Sequence, residues 1–290
     1  MKSFGGKVAA ITGASSGMGR ELALALAGEG CALALSDVNE AELARTAEMA
    51  AALGVKVTTR KLDVADRKAM FDWAGEVVRD HGRVNLVFNN AGVALSAVVE
   101  TMRIEDFEWL MGINFWGVVH GTQAFLPHLK ASGEGHIVNT SSLFGILSMP
   151  TQSAYNASKF GVRGFTEALR IELDLEGANV SATCVHPGGI ATNIVNAARV
   201  DPATLKQMGL TLERQKENAN KMLQTTSAAS AARQILDAVR RDARRVLVGP
   251  DAKFLDSVVR LMGAKYQHLI ARFAKHRVAK ETAREAAHGV

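Results

Sequence analysis

Tyr155 and Lys159 stand four residues apart in a segment of helical character, and Ser142 lies thirteen residues before the tyrosine. Four residues is slightly more than one helical turn, so a phenol and an ammonium at that spacing share a helix face. A cation held beside a phenol stabilises the phenolate and lowers its pKa from about 10 toward working pH. A tyrosine tuned in this way can give a proton to, or take one from, an alcohol or a carbonyl. The chain has only two tyrosines, so the pair does not follow from composition. Helices nevertheless carry many such pairs, and the weight of this one rests on what precedes it.

Lys7 to Thr12 (KVAAIT) is a short apolar run that reads as a buried strand. The turn Gly13-Ala-Ser15-Ser16-Gly17-Met18-Gly19 follows and leads into ELALALAGEG, a strongly helical stretch. Strand, glycine-rich turn and helix form the first βα unit of a dinucleotide-binding fold. The glycines let the backbone approach a pyrophosphate at the positive end of the helix. The spacing differs from G-x-G-x-x-G, so that fingerprint does not apply unmodified. A second strand, Ala32 to Ser36, ends in Asp37, about where an acidic residue would grip the adenosine ribose hydroxyls. A carboxylate there repels a 2′-phosphate, and neither Val38 nor Asn39 welcomes one, which favours NAD over NADP. The same turn also matches G-x-S-x-G, the nucleophile elbow of α/β-hydrolases. Only twelve residues precede Gly13, too few to build the strands that come before such an elbow, and the hydrolase reading is set aside.

In order and spacing the chain resembles the short-chain dehydrogenase/reductase family over roughly residues 5–250. The resemblance is carried by Thr12-Gly13-x-x-x-Gly17-x-Gly19, by Asp63-Val64 after the third strand, and by Asn89-Asn90-Ala91-Gly92 after the fourth. Asn114 follows in the next long helix, then Ser142 at the end of Ile137-Val-Asn-Thr-Ser-Ser, Tyr155-x-x-x-Lys159, Pro187-Gly188 and Thr192. Met18, where the family usually carries Ile or Leu, is a mild departure. The resemblance implies that Tyr155 is the general acid/base. It implies that Lys159 binds the nicotinamide ribose and depresses the phenol pKa, with the positive nicotinamide helping in the oxidised state. Ser142 would hold the substrate oxygen, and Asn114 would hold a water linking Lys159 to solvent. The turn Gly13, Ser15, Ser16, Gly17, Met18 and Gly19 would line the dinucleotide. Asp63 and Val64 would contact its adenine, and Asn90, Ala91 and Gly92 its adenosine ribose. Pro187, Gly188, Ile190 and Thr192 would border the nicotinamide, with Thr192 and the Ile190 backbone fixing its carboxamide. Each residue also has a plainer role open to it: Ser142 as a strand end, Asn114 as a loop tie, Asp37 as a helix cap.

These residues need a scaffold. Apolar segments alternate with amphipathic helices to residue 249, giving seven candidate strands in 290 residues. That pattern predicts an α/β, doubly wound Rossmann fold, a single seven-stranded parallel sheet covered by helices on both faces. Residues 1–250 make the cofactor-binding and catalytic domain, 193–226 a substrate-loop insertion, and 251–290 a basic helical extension. The opening MKSFGGK carries no signal pattern, no apolar run reaches the length of a membrane span, and two cysteines suggest a reducing cytoplasm. Cys31 and Cys184, in apolar strand context, read as inert core thiols. The eight histidines show no metal-ligand spacing, and His186 reads as structural.

The net charge of +5 is unevenly placed. Residues 233–290 hold 13 Lys/Arg against 6 Asp/Glu, a net of +7, which leaves the rest of the chain at −2. The extension is amphipathic: Leu255, Val258/Val259, Met262, Tyr266, Leu269/Ile270 and Phe273 recur at three- and four-residue spacing, with Gly263 placed to break the helix in two. Packing on its own domain or on a second subunit is the favoured reading. An acidic membrane surface and closure over a hydrophobic substrate are the alternatives. Nucleic-acid binding is disfavoured because no accompanying motif is present.

Residues 93–102 and 143–152 should face the substrate at the carboxyl ends of the strands. Both are mostly apolar and lack Arg or Lys. Leu143, Phe144, Leu147 and Met149 would form a greasy wall near Ser142, which favours an apolar secondary alcohol or ketone. The expectation is an NAD-dependent oxidoreductase, a homodimer or homotetramer through the helices that hold Asn114 and Tyr155. An NADP-dependent carbonyl reductase and a non-catalytic cofactor-binding regulator are the alternatives.

Overall fold

The computed structural model of the chain describes residues 1–222 and 225–276. The part of the expected extension from 277 to 290 therefore lies outside the described residues. β1 (Val8–Thr12), α1 (Gly17–Gly28), β2 (Ala32–Asp37), α2 (Glu40–Ala51), β3 (Val57–Lys61), α3 (Arg67–His81) and β4 (Leu86–Asn89) alternate through the first third. A two-residue strand, β5 (Leu95–Ser96), precedes α4 (Ile104–Met111), which runs through a π-helical turn (Gly112–Trp116) into α5 (Gly117–Ala131). Then come β6 (Gly135–Thr140), α6 (Ser153–Glu176) and β7 (Val180–Pro187). β8 (Ile190–Ala191) precedes the insertion, which holds β9 (Arg199–Val200), α7 (Pro202–Met208) and α8 (Leu212–Met222) and ends at β10 (Thr226–Ser227). α9 (Ala228–Arg240), β11 (Arg245–Val248) and α10 (Pro250–Met262) follow.

The sheet is the expected one: seven strands in the order β11-β7-β6-β4-β1-β2-β3, every pair parallel. Its central strands β1, β4 and β6 are buried throughout because both faces are covered, and alternation sends neighbouring residues to opposite layers. Ala9, Ile11, Leu33, Leu35, Leu86 and Phe88 pack under α1, α2 and α9. Val8, Ala10, Ala34, Val87 and Ile137 pack under α3, α5 and α6. Strand order reverses between β1 and β4, which opens a crevice at their carboxyl ends.

A buried polar network ties this centre to the two long helices. Asn89 on β4 donates to Asn139 on β6 at 2.8 Å and to Thr122 on α5 at 3.2 Å, and Asn139 donates to Thr166 on α6 at 3.1 Å. Asn89 and Asn139 are also register partners in the β4–β6 ladder. A Cβ at Gly121 would run into the Asn89 amide, so α5 can approach this closely only with glycine there.

Residues 251–276 of the extension pack on their own domain, one of the two arrangements in the favoured expectation. Gly263 does divide it: α10 ends at Met262, a 3-10 turn covers Gly263–Lys265, and a final helix runs over 266–276. Leu255, Val259, Met262, Tyr266 and Ile270 pack on Leu143, Phe144, Leu147 and Met149. Two residues of the predicted stripe are outside: Leu269 is 53% and Phe273 60% exposed. Among the described residues, no helix is long and apolar enough to cross a membrane.

At the amino-terminal end of β6, His136 is 1% exposed and bonded to Thr183 at 2.8 Å. Burial lowers its pKa from 6.5 to about 4. The unfolded chain takes up this proton near 6.5 and the folded protein only near 4, so between those values the unfolded chain binds more protons. Stability contributed by the neutral ring is therefore complete above pH 6.5 and declines toward pH 4, by at most about 3 kcal/mol. Urea unfolding at a series of pH values should show that decline, and His136→Asn, if it folds, should flatten it.

Candidate active site

The turn between β1 and α1 is built for close backbone approach. Gly13 has φ +65°, and a Cβ there would lie 2.8 Å from the Ala91 Cα. A Cβ at Gly19 would run into the Gly13 carbonyl. Thr12 fastens the turn to the end of β4: its Oγ1 accepts the Asn90 N–H at 3.0 Å and the Ala91 N–H at 3.1 Å. Asn90 returns the tie by donating to the carbonyls of Thr12 and Gly13 at 3.1 and 3.3 Å. Ser16 stands at the N-cap of α1 but its hydroxyl makes no capping bond, and no acidic side chain occupies the first turn. An uncapped, unopposed helix N-terminus behind a glycine turn is suited to a phosphate. Met18 packs partly into the core beneath it.

Asp37 ends β2 beside this turn. One carboxylate oxygen accepts the Ser15 N–H and the other the Asn39 N–H, each at 3.0 Å. Of the cations near this corner, Arg20 is committed to Glu42 at 2.8 Å and to the Ser15 carbonyl, and Lys61, the register partner of Asp37, pairs with Glu40 at 2.9 Å. Asp63 is exposed with its carboxylate bonded to the Ala65 N–H, while Val64 is buried against Gly117. The glycine turn, the uncapped helix and the carboxylate at the end of β2 fit a dinucleotide.

Asn114 sits in the π-helical turn and is fully buried. Its amide closes a two-way tie with Val93, accepting the N–H at 2.8 Å and donating to the carbonyl at 2.9 Å. The widened turn lets an asparagine face the loop instead of stacking along the helix. Gly92 lies between this amide and the Lys159 ammonium, since a Cβ there would be 3.3 Å from one and 3.5 Å from the other. Lys159, 3% exposed, donates to the Thr140 carbonyl at 3.0 Å, and its Nζ is 5.6 Å from the centre of the Tyr155 ring. The Ser142 hydroxyl accepts the Phe144 N–H at 3.1 Å and, beside Tyr155, favours the phenolate.

Tyr155 and Lys159 thus share a face, as their spacing requires, but the electrostatic expectation needs correcting. Burial raises the phenol pKa, opposed by the bond to Ser142, while burial lowers that of Lys159 to about 8. Burial, complete for Lys159 and partial for Tyr155, penalises charge on both partners, and the ammonium, 5.6 Å from the ring centre, does not outweigh that penalty for the phenol.

Behind Ser142 stands His186. Burial holds its pKa near 4, so the ring is neutral; the carbonyl of Ser142, 2.8 Å away, can only accept, which places the ring proton on Nδ1. Nε2 then faces the Cys184 thiol at 3.3 Å. Burial pushes the pKa of Cys184 up to about 12, which keeps it an inert thiol, as expected. Read from sequence as merely structural, His186 positions the main chain of Ser142. Past Pro187, Gly188 is required because a Cβ would run into the Asp251 carboxylate, Ile190 is buried in the pairing of β8 with β10, and Thr192 lies close against Gly17.

Of the four expected substrate-wall residues, Phe144 stands edge-on to Tyr155 with ring centres 6.1 Å apart. Leu143 and Leu147 are buried against Tyr266. Met149 lines an open apolar cavity of about 550 Å³ with Val99, Pro150, Phe160 and Ile270, and neither Ser142 nor Tyr155 borders it. The insertion is latched to the 96–106 segment: Thr204 accepts the Val98 N–H at 2.8 Å, Gln215 donates to Ser96 at 2.7 Å, and Arg199 pairs with Asp106 at 2.7 Å.

The family model for short chain dehydrogenases matches residues 7–203, well over half of the chain. The chain belongs to the short chain dehydrogenase family. A Mycobacterium tuberculosis protein assigned as an oxidoreductase, SadH, is 48% identical to this short chain dehydrogenase over 271 residues, covering 93% of this chain and 96% of that one. A short chain dehydrogenase/reductase of Burkholderia phymatum, solved in complex with NAD, superposes with a TM-score of 0.83 at 30% identity, over 90% of this chain and 95% of its own. Carveol dehydrogenase from Mycobacterium avium, also solved with NAD, gives 0.74 at 26% identity, over 86% and 99%.

The glycine turn offers a direct test of the family's cofactor site in this dehydrogenase. Gly13→Ala forces a side chain into a left-handed conformation and against Ala91, and should cost about 1–3 kcal/mol of stability. Thermal unfolding with and without NAD should show a lower midpoint and a loss of the rise that NAD causes in the wild type.

Proposed function

We propose that the protein interconverts an apolar secondary alcohol and its ketone, with NAD(H) as the hydride partner and Tyr155 as the general acid/base. The observation that carries this reading is the convergence of Tyr155, Ser142 and Lys159 at the carboxyl end of β6, beside a turn suited to a dinucleotide. When bound, the nicotinamide supplies the hydride chemistry. Ser142 would donate a hydrogen bond to the substrate oxygen and fix its distance from the phenol. In the oxidative direction the hydroxyl proton passes to Tyr155 Oη as the carbonyl forms, and in the reductive direction Tyr155 returns it. Lys159 would hold the nicotinamide ribose, and Asn114 would serve the path by which the proton leaves. The turn from Gly13 to Gly19 would take the pyrophosphate, Asp63 and Val64 the adenine, Asn90 to Gly92 the adenosine ribose, and Pro187 to Thr192 the carboxamide side. Asp37 supports NAD over NADP: its carboxylate stands at the end of β2, and the nearby Arg20 is already bound to Glu42.

Phe144 beside the phenol supports an uncharged, apolar substrate, while Leu143 and Leu147 are taken up in packing on Tyr266. A structural neighbour named for carveol dehydrogenation is in keeping with that class. A homodimer or homotetramer is proposed through the long helices, where Trp116, Ile171 and Leu175 are 51%, 57% and 83% exposed. Sedimentation would decide this, and a monomer would remove it.

Turnover of apolar secondary alcohols with NAD and with NADP is the first test. Tyr155→Phe keeps the ring and should lower kcat/KM by about 100-fold or more while leaving NAD affinity within about twofold. Unchanged turnover would sink the proton-transfer role. Because burial raises the phenol pKa, alcohol oxidation should accelerate as pH rises above 7. Asp37→Ala should lower kcat/KM with NAD and raise it with NADP; an enzyme already preferring NADP would overturn the cofactor reading.

A further inference from the structure

Two loops border the position of the substrate oxygen proposed above: residues 143–152 after β6, and Pro187–Thr192 after β7. Each is held by one side chain that comes from beyond the last strand of the sheet. The Tyr266 hydroxyl, in a residue 9% exposed, accepts the Ser148 N–H at 3.0 Å, and its ring packs on Leu143 and Leu147. Asp251 accepts the Gly189 N–H at 2.6 Å, with Gly188 pressed so close that a Cβ would run into the carboxylate. Asp251 opens α10, and Tyr266 opens the final helix. Asp256, 5% exposed, ties α10 to the sheet through Arg245 on β11 at 3.3 Å and is paired within the helix with Arg260 at 2.8 Å.

Covering an apolar face would require only apolar side chains. Here two polar atoms of the extension instead accept main-chain N–H groups of the two site loops. Within the 143–149 segment, the N–H groups of Phe144 to Leu147 are bonded to Ser142 or Leu143, and the next one, Ser148, turns to Tyr266. We propose that residues 251–276 are a positioning part of the active site, Tyr266 setting the substrate wall that begins at Ser142 and Asp251 setting the turn that borders the dinucleotide. This rests on the reading of the site given under the proposed function. The two anchors act on different ligands and can be separated.

The full-length protein is compared with Tyr266→Phe, Asp251→Ala and Asp251→Asn, following amide hydrogen exchange at Ser148 and Gly189, NAD affinity, and kcat and KM for the best alcohol of the panel. In Tyr266→Phe, exchange at Ser148 should quicken about tenfold with Gly189 unchanged, and KM for the alcohol should rise about three- to tenfold with NAD affinity within about twofold. In Asp251→Ala, exchange at Gly189 should quicken and NAD affinity should fall about tenfold, with Ser148 unchanged. Asp251→Asn keeps an acceptor oxygen and should recover most of both. Wild-type exchange at each anchored amide, or one variant loosening both loops and both ligands alike, would overturn the proposal. Unchanged exchange alongside wild-type turnover removes the anchoring and leaves the function. Quickened exchange in a protein that oxidises no alcohol removes the function instead.

Discussion

The site depends on keeping two ionisable side chains side by side where burial, complete for Lys159 and partial for Tyr155, penalises charge. Desolvation opposes charge on each, raising the pKa of the Tyr155 phenol and lowering that of Lys159 to about 8. The main chain and one hydroxyl offset part of this: the Thr140 carbonyl accepts from the ammonium, and the Ser142 hydroxyl favours the phenolate. Both partners come from the carboxyl end of β6, so the alignment of one strand with one helix sets the whole pair. That alignment is secured by Asn139, which reaches Asn89 on β4 and Thr166 on α6. A slip of one residue in β6 would turn Asn139 to the other face and leave its amide unpaired in the core.

Much of this arrangement is legible in the chain because it is local. A glycine-rich turn between an apolar strand and a helix, and a Tyr and Lys one turn apart, carry their geometry in their spacing. The seven parallel strands follow from short apolar runs separated by amphipathic helices. Spacing places the phenol and ammonium on one face, but it does not say how dry that face is, and the dryness sets the direction of the phenol shift. His186, Asp251 and Tyr266 carry no such signal. Their partners lie 44, 62 and 118 residues away in the chain, and no local pattern encodes a bond that only the tertiary fold creates. Thr12 lay inside the glycine motif, but its use as an acceptor for two N–H groups of a distant turn was equally hidden.

The extension shows why amphipathicity alone underdetermines a partner. Leu255, Val259, Met262, Tyr266 and Ile270 lie against the domain, while Phe254 and Leu261, on the same helix, are 67% and 89% exposed. Apolar residues therefore occur on more than one side, and a stripe read from periodicity would serve an intramolecular or an intermolecular contact equally well. The choice is made by hydrogen bonds. Tyr266 and Asp251 are the polar members of the extension that meet main-chain donors of the site loops, and such pairing cannot slide as an apolar contact can.

The entry into α6 adds a last constraint. Thr151, two residues before the helix, has φ +64°, a conformation that a β-branched residue adopts at a cost of roughly 1–3 kcal/mol. It is held there because its carbonyl accepts the Ala97 N–H at 2.9 Å and Gln152 bridges to Ala97. The strained turn starts α6 at Ser153, so Tyr155 falls in the first turn of a 24-residue helix. Side chains there lean toward the helix amino terminus, where the backbone N–H groups carry partial positive charge. Burial pushes the phenol toward neutrality, whereas this end of α6 favours the phenolate, as would a cation brought beside it. The backbone strain at Thr151 is therefore tied to the proposed proton transfer, because a helix begun one turn earlier would carry Tyr155 away from its positive end.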